Sequence, residues 1–302
     1  MINLLVKNNF FLLIVLSSIW GSAFIAIKVA VSTINPISLV ALRLIIGATF
    51  LLIYFKISKK TFVYDYKTYF YIFLIALIGN FIPFYLISWS EIYIPSNLAG
   101  LLLSIAPIFA IILSHFFTKD DKFNLLKLSG ILIGLIGTIF LLGLNDLSLF
   151  FEGNFILIPK FAIILAALGY VISSIIAYNL KRINILALTT LTTSFAALIS
   201  LPFSIIYEFN NYTHPSLISL VSVFYLGIMP TAIAFLLRFH LISKAGPVFL
   251  SYVAYLIPIF AIFWGYVFLG EIVKIEQTIA IVFIFIGIYV GQKGSNVKND
   301  LQ

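Results

Sequence analysis

The sequence predicts an all-α integral membrane protein with ten transmembrane helices, arranged as two inverted repeats of five helices. Hydrophobic residues make up 63% of the 302 positions and charged residues only 9%, whereas an ordinary globular domain carries about 25% charged residues. A helix that spans a bilayer needs about 20 mostly apolar residues. Ten runs of that kind follow one another here, and the short links between them leave no room for a soluble domain.

Each of the ten runs is long enough to cross a bilayer. They cover residues 10–32, 36–55, 69–89, 96–117, 125–144, 159–178, 186–206, 216–239, 247–269 and 275–291. The first run is too long, and too closely followed by further runs, to be a removable signal peptide, whose apolar core has about 7 to 15 residues. It is therefore predicted to be a true membrane span.

A repeated pentapeptide divides the chain into two halves. The sequence from Pro107 to Ile111 recurs letter for letter from Pro258 to Ile262, 151 positions later. The predicted halves are residues 1–146 and 147–302. Because each half contains five spans, an odd number, the second half enters the membrane from the opposite side. Inverted repeats of this kind are typical of secondary transporters, which bind substrate near the midplane where the halves meet.

The lysine and arginine residues place both termini in the cytoplasm, because cytoplasmic loops collect these residues. With this orientation fourteen of them lie on the cytoplasmic side, and only Lys160 and Lys274 lie outside. The net charge of +8 is then explained by topology, and no nucleic-acid partner is expected. The fourteen cytoplasmic residues are Lys7, Lys56, Lys59, Lys60, Lys67, Lys119, Lys122, Lys127, Lys181, Arg182, Arg238, Lys244, Lys293 and Lys298.

Spans one and two contain the two cations that the sequence places inside the membrane. Lys28 lies near the outer end of span one, and Arg43 lies about 10 Å inside span two at the helical rise of 1.5 Å per residue. Trp20 is near the middle of span one and shares a helix face with Phe24 and Lys28. Because intramembrane charges are costly and mark substrate pathways, these four residues are predicted to bind substrate. Lys28 could instead reach the membrane surface with its long side chain.

Spans three, four and nine add polar groups to the predicted substrate site. Asn80 lies in span three and Ser104 in span four, while Tyr252 and Tyr255 lie on one face of span nine, just before Pro258. Each of them alone is equally consistent with an ordinary contact between helices. Their assignment to a binding site depends on their convergence on one cavity.

Four intramembrane prolines occupy matched places in the two halves. Pro107 and Pro258 lie near the middle of spans four and nine, and Pro83 and Pro230 interrupt the preceding spans. Membrane helices tolerate proline because neighbouring groups satisfy the freed backbone. The four prolines are predicted to bend helices around a cavity and to act as hinges. A static role in helix packing is the alternative.

The fifth and tenth spans carry pairs of small residues four positions apart, Gly130 with Gly134 and Gly287 with Gly291. Such pairs let two membrane helices approach closely. Packing within one chain and packing between two chains of a homodimer are both open on the sequence alone.

The duplication also shows which features occur in one half only. Aligning the halves places Ala177 and Thr192 near the positions of Lys28 and Arg43, so the second half has no cation at either place. This predicts a substrate site that is built asymmetrically.

Several kinds of chemistry find no support in the sequence. There is no cysteine, which excludes disulfides and thiolate sites. His115, His214 and His240 fall at span ends or in a loop and lack metal-ligand spacing. No carboxylate is predicted deep in a span, since Glu91 and Glu271 lie at span ends. Without a glycine-rich phosphate loop or an intramembrane nucleophile and base, no enzyme activity, cofactor or metal is predicted.

The residues of the first two spans resemble the EamA type of the drug/metabolite transporter superfamily. The run from Trp20 to Phe24, followed by Lys28, is similar to that family's first-helix signature. Ala41, Leu42 and Arg43 look like its second-helix arginine motif.

The fourth and ninth spans extend this resemblance over nearly the whole chain. Pro107 and Pro258 match the central prolines of the family, and Gly270 with Glu271 matches the pair that closes its ninth helix. No such pair follows span four. The resemblance implies export or uptake of amino acids and related small metabolites across a bacterial inner membrane.

The sequence therefore predicts a secondary transporter in the inner membrane that works by alternating access. Its expected substrates are amino acids or related carboxylate-bearing solutes, and its expected partners are this small molecule and the lipid bilayer. A drug or lipid-precursor carrier with a mainly aromatic cavity is the alternative within transport. A membrane-embedded lipid enzyme and a non-transporting scaffold are further alternatives.

Overall fold

The computed structural model describes residues 8–62, 64–142, 157–180, 183–210, 214–269 and 275–294, and within these ranges the regular structure is entirely helical. Two short π-helices, Leu77–Phe81 and Gly227–Ile233, interrupt the α-helices. The α-helices are α1 (Asn9–Ala30), α2 (Pro36–Ile57), α3 (Tyr66–Ala76), α4 (Ile82–Tyr93), α5 (Ser96–Leu103), α6 (Ala106–Phe117), α7 (Leu125–Leu142), α8 (Leu157–Asn179), α9 (Ile185–Asn210), α10 (Leu217–Leu226), α11 (Ala234–Ser251), α12 (Val253–Leu269) and α13 (Ile275–Lys293).

Seven helical segments are long and apolar enough to cross a membrane, and three apolar helices are shorter. The seven are Asn9–Ala30, Pro36–Ile57, Tyr66–Tyr93, Ser96–Phe117, Leu157–Asn179, Ile185–Phe209 and Leu217–Ser251, and the shorter three are Leu125–Leu141, Val253–Trp264 and Gln277–Lys293. Nine of these segments each overlap one predicted apolar run, and Leu217–Ser251 extends from the eighth run into the ninth. The fold is that of a helical, multi-pass membrane protein.

Polar residues at the helix starts explain where several helices begin. The side chain of Asn8 accepts from the backbone N–H groups of the first turn of α1, and Asn35 does the same for α2. Asp65 and Ser216 cap α3 and α10 in the same way. These side chains satisfy N–H groups that have no partner within the helix. Pro36, at the start of α2, has no N–H to lose there.

The third and eighth predicted spans each contain a π-helix, at positions about 150 residues apart. Pro83 follows the first π-helix, in the first turn of α4, and Pro230 lies inside the second. A π-helical turn is a rare, local insertion that is frequent at functional sites. The two halves therefore carry the same irregularity in the same helix.

The end of the eighth predicted span is marked by Gly246, which has φ 86° and ψ 168°. A positive φ is a backbone conformation that glycine adopts without steric cost. The helix therefore breaks at Gly246, and the residues from Pro247 to Ser251 form a separate helical segment. This agrees with the predicted start of span nine at residue 247.

Helices of the first half pack against helices of the second half. The pairs are α1 with α12, α2 with α9, α4 with α8, and α7 with α13. The halves therefore form one bundle, and any cavity between them is lined from both.

The glycines of spans five and ten pack against each other within the chain. A Cβ atom at Gly287 would lie 2.5 Å from the backbone nitrogen of Gly134 and 2.7 Å from the backbone oxygen of Gly130. Gly291 is in contact with Gly130 and with the ring of Tyr252. These glycines join α7 to α13, so they give no support to a homodimer through the same faces.

We expect Gly287→Ala to lower the melting temperature of the purified protein by several degrees, because backbone atoms of α7 cannot move aside and overpacking costs about 1–3 kcal/mol. The matched control is Gly100→Ala in α5, where the nearest atom to the added methyl is 3.8 Å away. The control should not lower the melting temperature, because alanine favours a helix over glycine. Equal melting temperatures for both variants would contradict this account of the α7–α13 contact.

Candidate functional site

A cavity of about 100 Å³ lies between helices of the two halves. Most of its wall is apolar or aromatic, and its polar side chains are Arg43, Ser174, Arg238 and Ser251. The apolar and aromatic lining residues are Trp20, Ala23, Phe24, Ile27, Phe84, Ile87, Leu103, Ala106, Tyr170, Val171, Pro247, Leu250, Val253, Ala254 and Ile257. The lining contains two cations and no carboxylate.

Arg43 reaches the cavity from α2 and is 3% exposed. Its Nε and Nη2 atoms both donate to the hydroxyl of Thr231, at 3.2 Å each, and its guanidinium lies 3.8 Å from the centre of the Phe84 ring. A guanidinium has five N–H donors. Because Thr231 is its one hydrogen-bond acceptor among the described residues, three donors are free to bind a ligand in the cavity.

Arg238 reaches the same cavity from α11 and is 1% exposed. Its Nη2 donates to the hydroxyls of Ser173 at 2.6 Å and Ser174 at 3.2 Å, and to the carbonyl of Tyr170 at 3.2 Å. Its Nη1 donates to the carbonyl of Gly79 at 3.4 Å. Most of the hydrogen-bonding capacity of this guanidinium is therefore used to hold helices of both halves together.

Both arginine networks include a carbonyl that lies four residues before a proline. Pro83 cannot donate to the carbonyl of Gly79, four residues earlier, and Pro230 cannot donate to that of Leu226, because proline has no N–H. The Gly79 carbonyl accepts from the arginine of α11. The Leu226 carbonyl accepts from the hydroxyl of Thr231 at 2.7 Å, which is also the acceptor for the arginine of α2. Each arginine network thus lies one helical turn from a proline.

Aromatic rings form the other side of the site. Trp20 stacks on Tyr170 with 6.4 Å between ring centres and meets Phe235 edge-on at 6.1 Å. The indole N–H of Trp20 donates to the carbonyl of Pro230 at 3.1 Å. Trp20 and Tyr170 lie about 150 residues apart, at matching positions of the first helix of each half. Phe24, one turn further along α1, also lines the cavity.

Lys28 is not among the residues that line this cavity. Its ammonium donates to the backbone carbonyl of Glu91, near the end of α4, and its side chain is exposed. Of the four residues predicted in spans one and two, the structure thus brings Trp20, Phe24 and Arg43 together. A substrate role for Lys28 stays a prediction.

The polar residues predicted in spans three, four and nine lie in helix packing. Asn80 is fully buried in the first π-helix, with no partner among the described residues for either side-chain atom. The Ser104 hydroxyl donates to a carbonyl of its own helix. Tyr255 donates to the carbonyl of Ile131 at 2.9 Å, and Tyr252 packs against Gly291 of α13. None of the four lines the cavity, so their proposed contact with substrate stays a prediction.

The predicted kink prolines all lie at or near an irregular point of the helices. Pro83 and Pro230 accompany the π-helices. Pro107 lies in the first turn of α6, directly after the turn that separates it from α5, and Pro258 lies inside α12. Their role as hinges is a matter of motion and stays a prediction.

The arginine of the second half corrects two sequence-based expectations. The sequence places Arg238 on the cytoplasmic side, at the end of span eight, but it is buried and lines the cavity. Cations were expected in the first half only, but Arg43 and Arg238 come one from each half. The helix continues past the predicted end of span eight at residue 239 and breaks only at Gly246, so Arg238 lies inside it and not at its end. The apolar residues on both sides of Arg238 in the sequence are a signal that could have indicated a buried position.

Some residues of the sequence argument lie outside the described part of the chain. They are Gly270 and Glu271 of the family resemblance and Lys7, Lys181, Arg182, Lys274 and Lys298 of the charge distribution.

The fold and the cavity define a class of protein: a multi-pass membrane protein with a charged cavity between two sets of helices, as in secondary transporters. Comparison with known proteins specifies the class further. The EamA-like transporter family matches residues 9–143 and again residues 157–290. The chain belongs to this family.

Similar proteins are also transporters by name. The uncharacterized transporter YoaV of Bacillus subtilis (strain 168) is 25% identical over 275 residues, which cover 90% of this chain and 92% of that protein. An uncharacterized transporter of Buchnera aphidicola subsp. Schizaphis graminum is 29% identical over 83% of this chain and 82% of its own length. A protein crystal structure with 18% sequence identity has the same fold, with a TM-score of 0.77 over 95% of this chain and 98% of that chain.

Proposed function

We propose that this protein is a secondary transporter of small carboxylate-bearing metabolites, with free amino acids as the leading class. The observation that carries the proposal is the pair of buried arginines in an otherwise apolar and aromatic cavity, with no carboxylate among the lining residues. A buried charge is costly unless it is compensated. A carboxylate that enters the cavity supplies that compensation.

Arg43 is the residue that contacts the substrate carboxylate in this proposal. Its three free N–H groups suit the two oxygens of a carboxylate, which guanidinium groups bind in a bidentate manner. The stacked rings of Trp20 and Tyr170 then face the rest of the substrate. An α-ammonium group can bind on an aromatic face, which is why amino acids fit this cavity.

The proposed topology has ten spans in two inverted halves, residues 1–146 and 147–302, with both termini in the cytoplasm of a bacterial cell and the spans in its inner membrane. Three observations support it: the family matches the chain twice, ten apolar helical segments follow one another, and the predicted loops divide the basic residues unequally. Alternating access then consists of rocking the two halves, with Pro83, Pro107, Pro230 and Pro258 as the points where helices bend.

The test is counterflow in proteoliposomes. Vesicles that contain the purified protein are loaded with an unlabelled mixture of proteinogenic amino acids and diluted into the same mixture carrying a radioactive label. We expect label to accumulate above that in protein-free vesicles, and individual unlabelled amino acids to compete to different extents. Failure of the whole mixture to exchange would reject amino acids as substrates.

The drug carrier is the second candidate, and the aromatic part of the lining favours it. Hydrophobic cations would then compete for binding while amino acids would not. The two arginines oppose this reading, because they repel a cationic drug from the cavity. In the same assay, competition by a hydrophobic cation such as tetraphenylphosphonium is therefore expected to be absent.

A further inference from the structure

Glu91 is a buried carboxyl that the proposed transport site does not use. It lies near the end of α4 and its side chain is 0% exposed. One carboxyl oxygen, Oε2, accepts from the hydroxyl of Ser96 at 3.0 Å. The other, Oε1, is buried without a hydrogen-bond partner among the described residues. A buried acceptor without a partner is costly and calls for an explanation.

The position of Glu91 connects it to the cavity. It follows Ile87, which lines the cavity, by four residues, so it lies on the same helix face about 6 Å further along α4. Lys28, which donates to its backbone carbonyl, follows the lining residue Ile27. The charges of Lys28 and Arg43 both act on the Glu91 carboxyl. The carboxyl is thus coupled electrostatically to the cation that is proposed to bind substrate.

We propose that Glu91 binds the proton that drives transport, so that substrate and proton cross the membrane together. This inference rests on the proposed function. A protonated carboxyl turns from acceptor to donor at one oxygen and carries no charge, which removes the burial cost of an unpartnered carboxylate oxygen.

The direction of coupling follows from the signs of the charges. Ionised Glu91 partly offsets the positive charge of Arg43 and repels a substrate carboxylate. Protonated Glu91 leaves Arg43 uncompensated, so the substrate carboxylate binds more tightly. By reciprocity, bound substrate favours the protonated form of Glu91. Positive coupling of this kind makes the protein a symporter, in which an inward proton gradient accumulates substrate inside.

The other charged groups near Glu91 are not carboxyls and cannot bind the coupling proton in its place. The elements packed against α4 contribute Lys28 from α1, Arg43 from α2 and Lys160 from the start of α8, beside the Pro159 carbonyl that accepts from Ser90. The part of α5 next to it supplies the Ser96 hydroxyl. All three charged groups are cations, so among the described residues of α4 and the helices packed against it Glu91 is the carboxyl that can bind a proton.

The experiment compares wild-type protein with Glu91→Gln and a matched control, Glu208→Gln, in proteoliposomes with the labelled amino acid mixture. Glu208 is also a carboxyl that accepts from a hydroxyl, that of Ser38 at 2.5 Å, but it does not line the cavity. Two activities are measured: exchange without a gradient, and accumulation driven by a vesicle interior that is more alkaline than the outside. Glutamine mimics the protonated carboxyl but cannot release a proton.

We expect Glu91→Gln to retain exchange and to lose at least about tenfold in gradient-driven accumulation, in line with coupling factors of 5 to 150. Glu208→Gln should keep both activities. The coupling role is overturned if wild-type accumulation ignores the pH gradient, or if Glu91→Gln loses exchange together with accumulation, since Glu91 then serves binding or folding.

A second readout does not depend on the substrate. Difference infrared spectroscopy of wild-type protein between acidic and alkaline pH should show a buried protonated carboxyl that titrates, and Glu91→Gln should lack this band. Absence of exchange in wild-type protein rejects amino-acid transport, and the infrared band still decides whether Glu91 binds a proton. A spectrum that is identical in both proteins rejects the assignment of the proton site.

Discussion

Replacing Arg43 by glutamine is expected to lower transport of the labelled amino acids by roughly 30-fold or more. Removing one partner of a buried, hydrogen-bonded charge pair costs about 2–5 kcal/mol, and each 1.4 kcal/mol is a factor of ten. Glutamine is long enough to keep a contact with Thr231, which the guanidinium now makes at 3.2 Å. It loses the positive charge and the bidentate geometry. The measurement is counterflow in proteoliposomes.

The matched control is Lys56→Gln on the same helix, since Lys56 is exposed at the end of α2 and has no place in the cavity. Its transport should be unchanged. A third variant, Arg43→Lys, separates charge from geometry, because lysine keeps the charge but cannot form two parallel hydrogen bonds. Full transport by Arg43→Gln would mean that this arginine only packs against Phe84 and does not recognise substrate.

The second buried arginine does not give an equally clean test. The guanidinium of Arg238 donates to two serine hydroxyls and to the carbonyls of Tyr170 and Gly79. Replacing it would leave several buried acceptors without donors, which costs stability whatever the substrate. Arg43 has N–H donors that no described residue uses, so replacing it tests substrate recognition more directly.

The positions of the helices followed from the sequence because the bilayer imposes a simple rule on length and polarity. The predicted run 96–117 coincides with the segment Ser96–Phe117, and the predicted run 36–55 with Pro36–Ile57. The predicted run 247–269 begins directly after the break at Gly246, whereas the predicted run 216–239 ends before the helix does. The rule does not predict irregularities within a helix, such as the two π-helices.

The candidate site was predicted in part, and the missing part has a physical cause. Trp20 and Arg43 could be picked out because they break an apolar pattern near the middle of a span. Arg238 was missed because its helix continues past the predicted end of span eight, as far as Gly246. Glu91 was missed because a position counted along the helix axis gives the place of the Cα atom and not that of the end of a long side chain. Tyr170 stacks on Trp20, but nothing in the sequence distinguishes it from the other tyrosines, of which the chain has sixteen in all.

A buried ion pair outside the cavity has large expected effects on stability. Lys127 donates to the carboxylate of Asp121 at 2.7 Å, and both side chains are 1% exposed. The second oxygen of Asp121 accepts from the backbone N–H of Val248 at 3.0 Å, in the first turn of the helical segment that begins after Gly246. The pair therefore ties the loop between α6 and α7 to the second half of the chain.

We expect Asp121→Asn to destabilise the protein by about 3–5 kcal/mol, because removing one partner of a buried pair leaves the other charge uncompensated. The ammonium of Lys127 would keep one strong acceptor, the carbonyl of Lys122 at 2.7 Å. Lys127→Met should destabilise by a similar amount for the reciprocal reason. Both effects can be measured as unfolding of the purified protein in detergent.

The double variant with Asp121→Asn and Lys127→Met decides whether the pair itself is responsible. It removes both charges and keeps an acceptor for the Val248 N–H, so it should be more stable than either single variant. A thermodynamic cycle isolates this coupling, with the exposed Lys119→Met as the control for loss of a lysine in the same loop. If the two single effects simply add, the cost comes from packing. Recovery in the double variant would instead show that the ion pair between Asp121 and Lys127 stabilises the contact between the two halves. Any opening of the halves on this side would then have to break the hydrogen bond from the Val248 N–H to Asp121.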